Sequence, residues 1–293
     1  MLQRHVCSST AAARYAVMIP TWNNLGFLQL CVRSLREHAG APLQIVVFVN
    51  DGSDGTREWL AEQTDIDYIL ADENRGICYA LNMLRSMARA PYLVYLNDDM
   101  YVLPGWDKRL LEVADALDPL AFMLSATMIE PYDTGNPCVR FADYGQSIAA
   151  FREEELLDSY RGLHKDDWSG STWPPNFIHV DLWDAVGGMS VEFSPGIYSD
   201  PDLSRKLWHF GVRDFRGVGD SLVYHFGRQS TGRLKGHTGR EKFLAKWGTS
   251  AKTFMRYSLR LGERYGGPLG ETADVPTGRK VKDWAKARGL IKA

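Results

Sequence analysis

The chain has 293 residues, with 34 Lys and Arg against 36 Asp and Glu, and a formal net charge of −2. Its 45% hydrophobic and 24% charged residues exclude a disordered or collagen-like chain, and no apolar stretch reaches the roughly 18 residues a membrane span needs. The near-zero charge conceals a split: residues 1–227 hold 18 basic and 31 acidic side chains, residues 228–293 hold 16 basic and 5 acidic ones.

In chain order, strand-like and helix-like segments alternate through the first 130 residues. Tyr15–Pro20 is a short apolar run ended by proline, Gln44–Val49 is rich in β-branched residues, and Tyr68–Leu70, Tyr92–Leu96 and Phe122–Ile129 are further strand-like runs. Helical spacing links Leu28, Cys31, Val32 and Leu35, then Trp59 and Leu60, then Ile77, Leu81, Leu84 and Met87, then Leu110 to Leu117. This alternation predicts βαβ units and a mainly parallel sheet, whose ligands bind beyond the carboxyl ends of the strands. Residues 131–177 break the rhythm with Pro, Gly, Asp and aromatic residues, as a binding loop or lid does. Helices are expected again at Asp181–Val186 and Pro201–Phe210, then as basic amphipathic segments from Arg240 to Arg264 and near Val281–Ala287.

The length sits near the upper limit of one hydrophobic core, so one large domain, alone or with a subdomain, is expected. The first residues lack the apolar core of a secretory signal, and the four cysteines (Cys7, Cys31, Cys78, Cys138) form no CxxC pair. Both features predict a reduced, cytoplasmic setting. The basic end predicts an anionic partner or simply a solvated helix. No nucleic-acid-binding motif is present, and neither GxGxxG nor GxxxxGK[ST] occurs.

The strand ends carry the chemistry. Asp51, in the turn Asn50-Asp51-Gly52-Ser53, is placed to accept a hydrogen bond from a base or sugar. The apolar run Tyr92–Leu96 ends in Asn97-Asp98-Asp99. Two adjacent acids repel, a cation is the simplest compensation, and oxygen ligands select Mg²⁺ or Mn²⁺, the ions that also hold substrate phosphates.

These motifs resemble the family 2 glycosyltransferases, nucleotide-sugar-dependent enzymes of the GT-A fold. The resemblance covers roughly residues 15–230 and rests on Ile19-Pro20-Thr21, Asn50-Asp51-Gly52-Ser53, Glu73-Asn74-Arg75-Gly76, Ala80-Leu81-Asn82 and Asn97-Asp98-Asp99. The last stands where the family has its DxD motif, with Asn97 in place of the usual first aspartate. Leu81 stands where arginine is frequent. The resemblance implies an α/β GT-A fold: a mainly parallel sheet sandwiched by helices, with a Rossmann-like nucleotide-binding half (15–130) and an acceptor-binding half (131–235). A basic helical tail (236–293) would follow.

It also implies roles. Pro20, Thr21, Asp51, Asn74, Gly76, Asn82, Asn97 and Asp98 would contact the nucleotide sugar, with Asp51 near the base and Asp98 near the ribose or diphosphate. Asp99 would bind the metal. Tyr198-Ser199-Asp200-Pro201-Asp202 stands where the family opens a helix with a Glu-Asp motif, which makes Asp200 the expected base of an inverting transfer and Asp202 the fallback; Ser199 replaces the glutamate. His225, followed by Gly227 to Ser230, resembles the HxxGxS segment and would complete the metal site, while Arg228, Arg233 and Lys235 would fold over the diphosphate. Trp168 and Trp173 are either sugar-stacking residues or core anchors, and Asn176 is expected near the acceptor or donor sugar.

The implied function is a metal-dependent, inverting transfer from a UDP-, GDP- or dTDP-sugar to a hydroxyl of a glycan or lipid-linked acceptor in surface polysaccharide synthesis. The basic end would meet an anionic membrane at the inner face of the cell membrane, or the anionic acceptor itself. A nucleotidyltransferase and a binding module without catalysis are the alternatives.

Overall fold

The computed structural model describes residues 2–7, 12–227 and 238–291. The first half consists of β1 (Leu2–His5), β2 (Tyr15–Trp22), α1 (Leu25–His38), β3 (Leu43–Asn50), α2 (Thr56–Ala61), β4 (Ile66–Ala71), α3 (Ile77–Arg85) and β5 (Tyr92–Tyr95). Then come β6 (Met100–Val102), α4 (Trp106–Asp115), β7 (Phe122–Glu130), β8 (Arg140–Phe141), α5 (Glu153–Ser159), β9 (Trp168–Ser169) and β10 (Asn176–His179). α6 (Val180–Ala185), α7 (Ser199–Phe210) and β11 (Asp214–His225) lead to three helices, α8 (Gly239–Trp247), α9 (Ala251–Tyr257) and α10 (Thr277–Ala287).

One sheet runs through the molecule in the order β1-β4-β3-β2-β5-β10-β7-β11-β6. The mainly parallel arrangement expected from the sequence holds for β4-β3-β2-β5. The second half is mixed, because β10 runs antiparallel to both β5 and β7, while β11 is parallel to β7. It follows that β2, β3, β4, β5, β7 and β11 all point the same way and end at one edge of the sheet. β6 lies antiparallel beside β11, pairing Met100 with His225. That long-range pairing brings Asp99, just before β6, beside the end of β11.

The strands of the first half read as continuous apolar runs because both faces are covered. Alternation sends Tyr15, Val17 and Ile19 of β2 to one side, against Leu28, Val32 and Leu35 of α1 and Leu110 of α4. Ala16 and Met18 face the other side, with Cys78, Leu81 and Leu84 of α3 and Leu203 and Leu207 of α7. Phe243 of α8, Phe254 of α9, Leu259 and Leu269 belong to this same second layer. The segment expected as a separate basic tail from 236 is therefore packed into the main body through α8 and α9. Cys31 and Cys78 are fully buried and unpaired, as small core hydrophobes.

Candidate active site

The common strand edge opens into a cavity of about 720 Å³. Its walls come from four parts of the chain. Pro20, Thr21 and Trp22 end β2, and Asn50 ends β3; Asn74, Gly76, Asn97 and Asp98 follow from the next loops. Glu130, Thr134 and Asn136 come from the end of β7 and the segment after it, with Trp173 and Pro174. Gly196, Ile197, Tyr198, Asp200 and His225 supply a third wall, and Arg240, Ala251, Lys252 and Met255 of α8 and α9 a fourth.

The turn after β3 is built by Asn23, which no motif in the sequence marks. Asn23 accepts from the backbone of Gly52 (2.8 Å) and Ser53 (3.0 Å) and donates Nδ2 to Asp51 Oδ2 (2.9 Å). Asp51 itself adopts φ +70 and does not line the cavity, which its neighbour Asn50 reaches instead. Asn50 Oδ1 holds the backbone N–H of Arg75 at 2.8 Å and so fixes the Glu73–Gly76 loop. Within that loop Asn74 Oδ1 accepts from Gly76 N at 2.8 Å. Gly76, at φ +80, must be glycine for a second reason: a Cβ there would meet Pro195 Cα at 2.9 Å. This close approach lets the 194–198 loop dock on the start of α3, where Ile77 N donates to Pro195 O (3.1 Å). Asn82, expected at the donor, spends its amide on both backbone groups of Met189 (2.8 Å each) and does not line the cavity.

The Asn97-Asp98-Asp99 loop separates its two acids by role. Asp98 accepts from Thr21 Oγ1 (2.7 Å) and from Asn24 Nδ2 (3.1 Å), which locks its carboxylate at the cavity wall. Asp99 is buried, with Oδ1 3.4 Å from His225 Nε2. The other imidazole nitrogen, Nδ1, lies 2.8 Å from Glu130 Oε1. Burial alone would lower the pKa of His225, but Asp99 and Glu130 outweigh it and push the imidazole up to about 10. Glu130 was not foreseen, though an acid closing the apolar β7 obeys the same logic that singled out Asp98 and Asp99.

Among the described residues no group of three or more His, Cys, Asp or Glu is arranged to hold a metal ion. Asp99 and His225 nevertheless fit one as a pair. Once a cation displaces the proton from Nε2, they offer a carboxylate oxygen and a ring nitrogen facing each other, and Glu130 orients the ring from behind as second partners of histidine ligands do. Substrate phosphates and water would complete the shell, as is usual for Mg²⁺.

The two acids opening α7 are in contrasting states. Asp202 is fully buried and saturated: Ser190 Oγ donates to it at 2.5 Å, Trp247 Nε1 at 2.8 Å, and Lys246 Nζ lies 3.0 Å from Oδ1. A carboxylate so occupied has no capacity left for a substrate proton, so the fallback base is a structural anchor between α7 and α8. Asp200 lines the cavity, and its Oδ1 is buried without a hydrogen-bond partner. Burial pushes this carboxyl from 3.8 up to about 7. An unpartnered carboxylate poised near neutrality in a cavity is a proton acceptor in waiting.

The aromatic expectations divide. Trp173 lines the cavity, whereas Trp168 is a core anchor. Trp168 donates Nε1 to Thr127 Oγ1 (2.9 Å) and lies flat over Gly217, where a Cβ would fall 1.8 Å from its ring. Asn176 is buried at the start of β10, donating to the backbone of Thr172 (3.0 Å) and Trp173 (3.1 Å); it shapes the loop behind the cavity and does not line it. Arg228, Arg233 and Lys235 lie outside the described residues.

Comparison with known proteins agrees with this architecture. Residues 16–162 match the model of glycosyl transferase family 2. No curated protein matches the chain by sequence. Among solved structures, S. aureus TarS 1-349 in complex with UDP-GlcNAc superposes with a TM-score of 0.59 at 12% identity, covering 94% of this chain and 71% of that one. GalNAc-T7 with UDP, GalNAc and Mn²⁺ gives 0.60 at 15% identity, covering 85% of this chain and 51% of that one. The mannosyltransferase PcManGT from Pyrobaculum calidifontis, in complex with GDP-Man and Mn²⁺, gives 0.52 at 17%, covering 97% and 71%. The family match spans half the chain and the GT-A fold extends across nearly all of it, so the chain belongs to glycosyl transferase family 2 and is a glycosyltransferase.

Proposed function

We propose that the protein is a metal-dependent, inverting glycosyltransferase using a nucleotide-diphosphate sugar, with UDP, GDP or dTDP as the nucleotide. The acceptor is a hydroxyl of a glycan or lipid-linked intermediate in surface polysaccharide synthesis, met on the cytoplasmic side of the membrane. The observation that carries this reading is Asp200: a buried carboxylate oxygen without a partner, in the cavity that Asp98 and His225 also line.

In this reading Asp200 takes the proton of the acceptor hydroxyl as its oxygen attacks the anomeric carbon. The bond from that carbon to the diphosphate breaks on the opposite face, and the nucleoside diphosphate leaves with the electron pair. Trp22, Asn50 and Asn74 lie where the nucleoside would enter, at the ends of β2 and β3 and in the loop after β4. Thr21 and Asn24 hold Asp98 so that it faces the donor as a fixed acceptor of hydrogen bonds. Mn²⁺ or Mg²⁺, when bound, offsets the diphosphate charge, and Asp99 and His225 are the residues that would hold it. Asp202 keeps the first turn of α7 in place through Lys246 and Trp247, so that the backbone carrying Asp200 does not shift. The nucleotide sugars and Mn²⁺ present in the structural relatives support the donor class and the ion.

The test is nucleotide release from a panel of UDP-, GDP- and dTDP-sugars with Mn²⁺, with and without glycan acceptors. Release with at least one donor, lost in Asp200→Asn and in Asp99→Ala, is expected. Folded protein that releases no nucleotide with any donor, acceptors included, refutes the proposal.

A further inference from the structure

The last helix is built inside out. The side of α10 that meets the body is polar: Asp283 is buried and accepts from Thr249 Oγ1 and Ser250 N (3.1 Å each), and Arg279 Nε donates to Thr253 Oγ1 at 2.8 Å. The opposite pole carries the apolar residues. Val281 is 56% exposed and Trp284 49%, one turn apart on the same stripe, and Leu290 and Ile291 are exposed just beyond the helix end. A helix that packs by its polar side and presents valine and tryptophan to the outside reverses the pattern of a surface helix.

The charges around that stripe have one sign. Lys280, Lys282 and Arg288 are exposed, Arg288 lies over the Trp284 ring at 4.2 Å, and the single acid of the segment, Asp283, is turned inward. Among the described residues no helix is long and apolar enough to cross a membrane. An apolar stripe with a tryptophan, edged by lysine and arginine, is the make-up of a helix that lies in the plane of an anionic lipid surface.

Position gives the surface a use. α10 is pinned by Asp283 and Arg279 to the α8–α9 junction, and α8 and α9 supply Arg240, Lys252 and Met255 to the cavity wall. Lys286 of α10 is near enough to Arg240 for their charges to repel. The outward stripe and the cavity mouth thus share the same small helical unit.

We propose that α10 with Leu290 and Ile291 docks the protein on an anionic phospholipid bilayer, through Val281 and Trp284 inserted between head groups and Lys280, Lys282 and Arg288 on the lipid phosphates. Docking holds the α8–α9 wall of the cavity at the membrane surface. An acceptor carried on a lipid anchor then reaches Asp200 without leaving that surface; this consequence, unlike the docking, rests on the function proposed above.

The full chain is sedimented with vesicles of phosphatidylcholine alone or mixed with phosphatidylglycerol, at low and at high salt. The wild type is expected to sediment with the anionic vesicles only, and less at high salt. Val281→Ser with Trp284→Ser should weaken partitioning about tenfold, and charge reversal of Lys280, Lys282 and Arg288 about a hundredfold or more. These side chains are exposed, so melting curves should be unchanged. As a measurement independent of the serine variants, brominated lipids should quench more tryptophan emission in the wild type than in Trp284→Phe. Wild-type protein that ignores anionic vesicles, variants that bind like it, or equal quenching overturns the proposal. So does sedimentation equilibrium in which Trp284 pairs two copies of the chain and lipid binding is absent. Donor hydrolysis is read separately, so a failed transferase assay leaves the vesicle result standing, and the reverse.

Discussion

Replacing Asp200 by asparagine should make the protein more stable and nearly inactive. The carboxyl ionises at about 7 in the fold against 3.8 ordinarily, a gap worth on the order of 4 kcal/mol at neutral pH. Below about pH 3.8 the group is protonated in both folded and unfolded chains and costs nothing. As pH rises from there, the unfolded chain releases its proton first, so stability declines until the folded carboxyl also ionises near 7. An amide removes that penalty but leaves its own polar atoms incompletely paired, which returns about 1–2 kcal/mol. The net gain is about 2–3 kcal/mol at pH 8, several degrees in Tm, and it should shrink toward zero or reverse by pH 4. The same substitution should lower kcat about 10²–10⁴-fold, the usual worth of a general base. Wild-type kcat/KM should show an acid limb near pH 7. Asp202→Asn is the matched control: it breaks a buried ion pair, though Glu192 still holds Lys246 at 2.8 Å, so it should cost about 2–4 kcal/mol. Thermal melts at several pH values and nucleotide-release kinetics read all of this. A lower Tm for Asp200→Asn at pH 8, or a stabilising Asp202→Asn, would refute the contrast drawn between the two acids.

Three further outcomes are expected. Gly76→Ala must strain a φ of +80 and push a methyl against Pro195, so it should cost about 1–3 kcal/mol in chemical denaturation and weaken donor binding by calorimetry; a neutral result would mean that the 194–198 loop is free to move away. Trp168→Ala should cost about 3–5 kcal/mol, while Trp168→Phe leaves the acceptor KM unchanged; an acceptor KM that rises in a protein of normal Tm would return Trp168 to the binding site. Glu130→Ala should lower Mn²⁺ affinity about 10–100-fold, read by electron paramagnetic resonance, because it removes the acceptor that holds the ring of His225; unchanged affinity would sink the metal assignment at this pair.

The parts of the fold that local pattern controls were legible in the sequence. The strands Tyr15–Trp22, Leu43–Asn50 and Phe122–Glu130 are buried on both faces and announce themselves as apolar runs. β10 was not legible, since four residues after Trp173-Pro174-Pro175 read as loop, and only pairing with Tyr95 and Ser125 makes them a strand. β11 was not legible as one strand either. Arg216, Gly217, Gly219 and Asp220 interrupt its apolar pattern, and the register shifts between Val218 and Leu222. In the site, Asp200 and His225 lie at the cavity and were found through their neighbours in the chain. Asn23, Glu130 and the saturation of Asp202 were not found, because each depends on a partner 28, 95 or 44 residues away.

The division of charge along the chain acquires a structural meaning from those distant partners. An acidic body with several carboxylates at one strand edge would repel itself and would bind an anionic donor poorly. The basic end acts locally against this, and not as a uniform counter-charge. Lys246 neutralises Asp202 inside the second layer, while Arg240 and Lys252 stand at the cavity wall. The consequence is selective. Two acids in the same turn of α7 differ by whether a cation from α8 reaches them, and the one left over keeps an unpartnered oxygen and a pKa near neutrality. Had α8 been a solvated tail, Asp202 would be a second buried anion two residues from the first, and like-charge repulsion would push Asp200 still higher, toward a carboxyl too protonated at neutral pH to accept a proton. In the proposed mechanism the C-terminal helices would therefore matter as much as the strand ends, because Lys246 of α8 occupies Asp202 and leaves Asp200 as the carboxylate open to the acceptor.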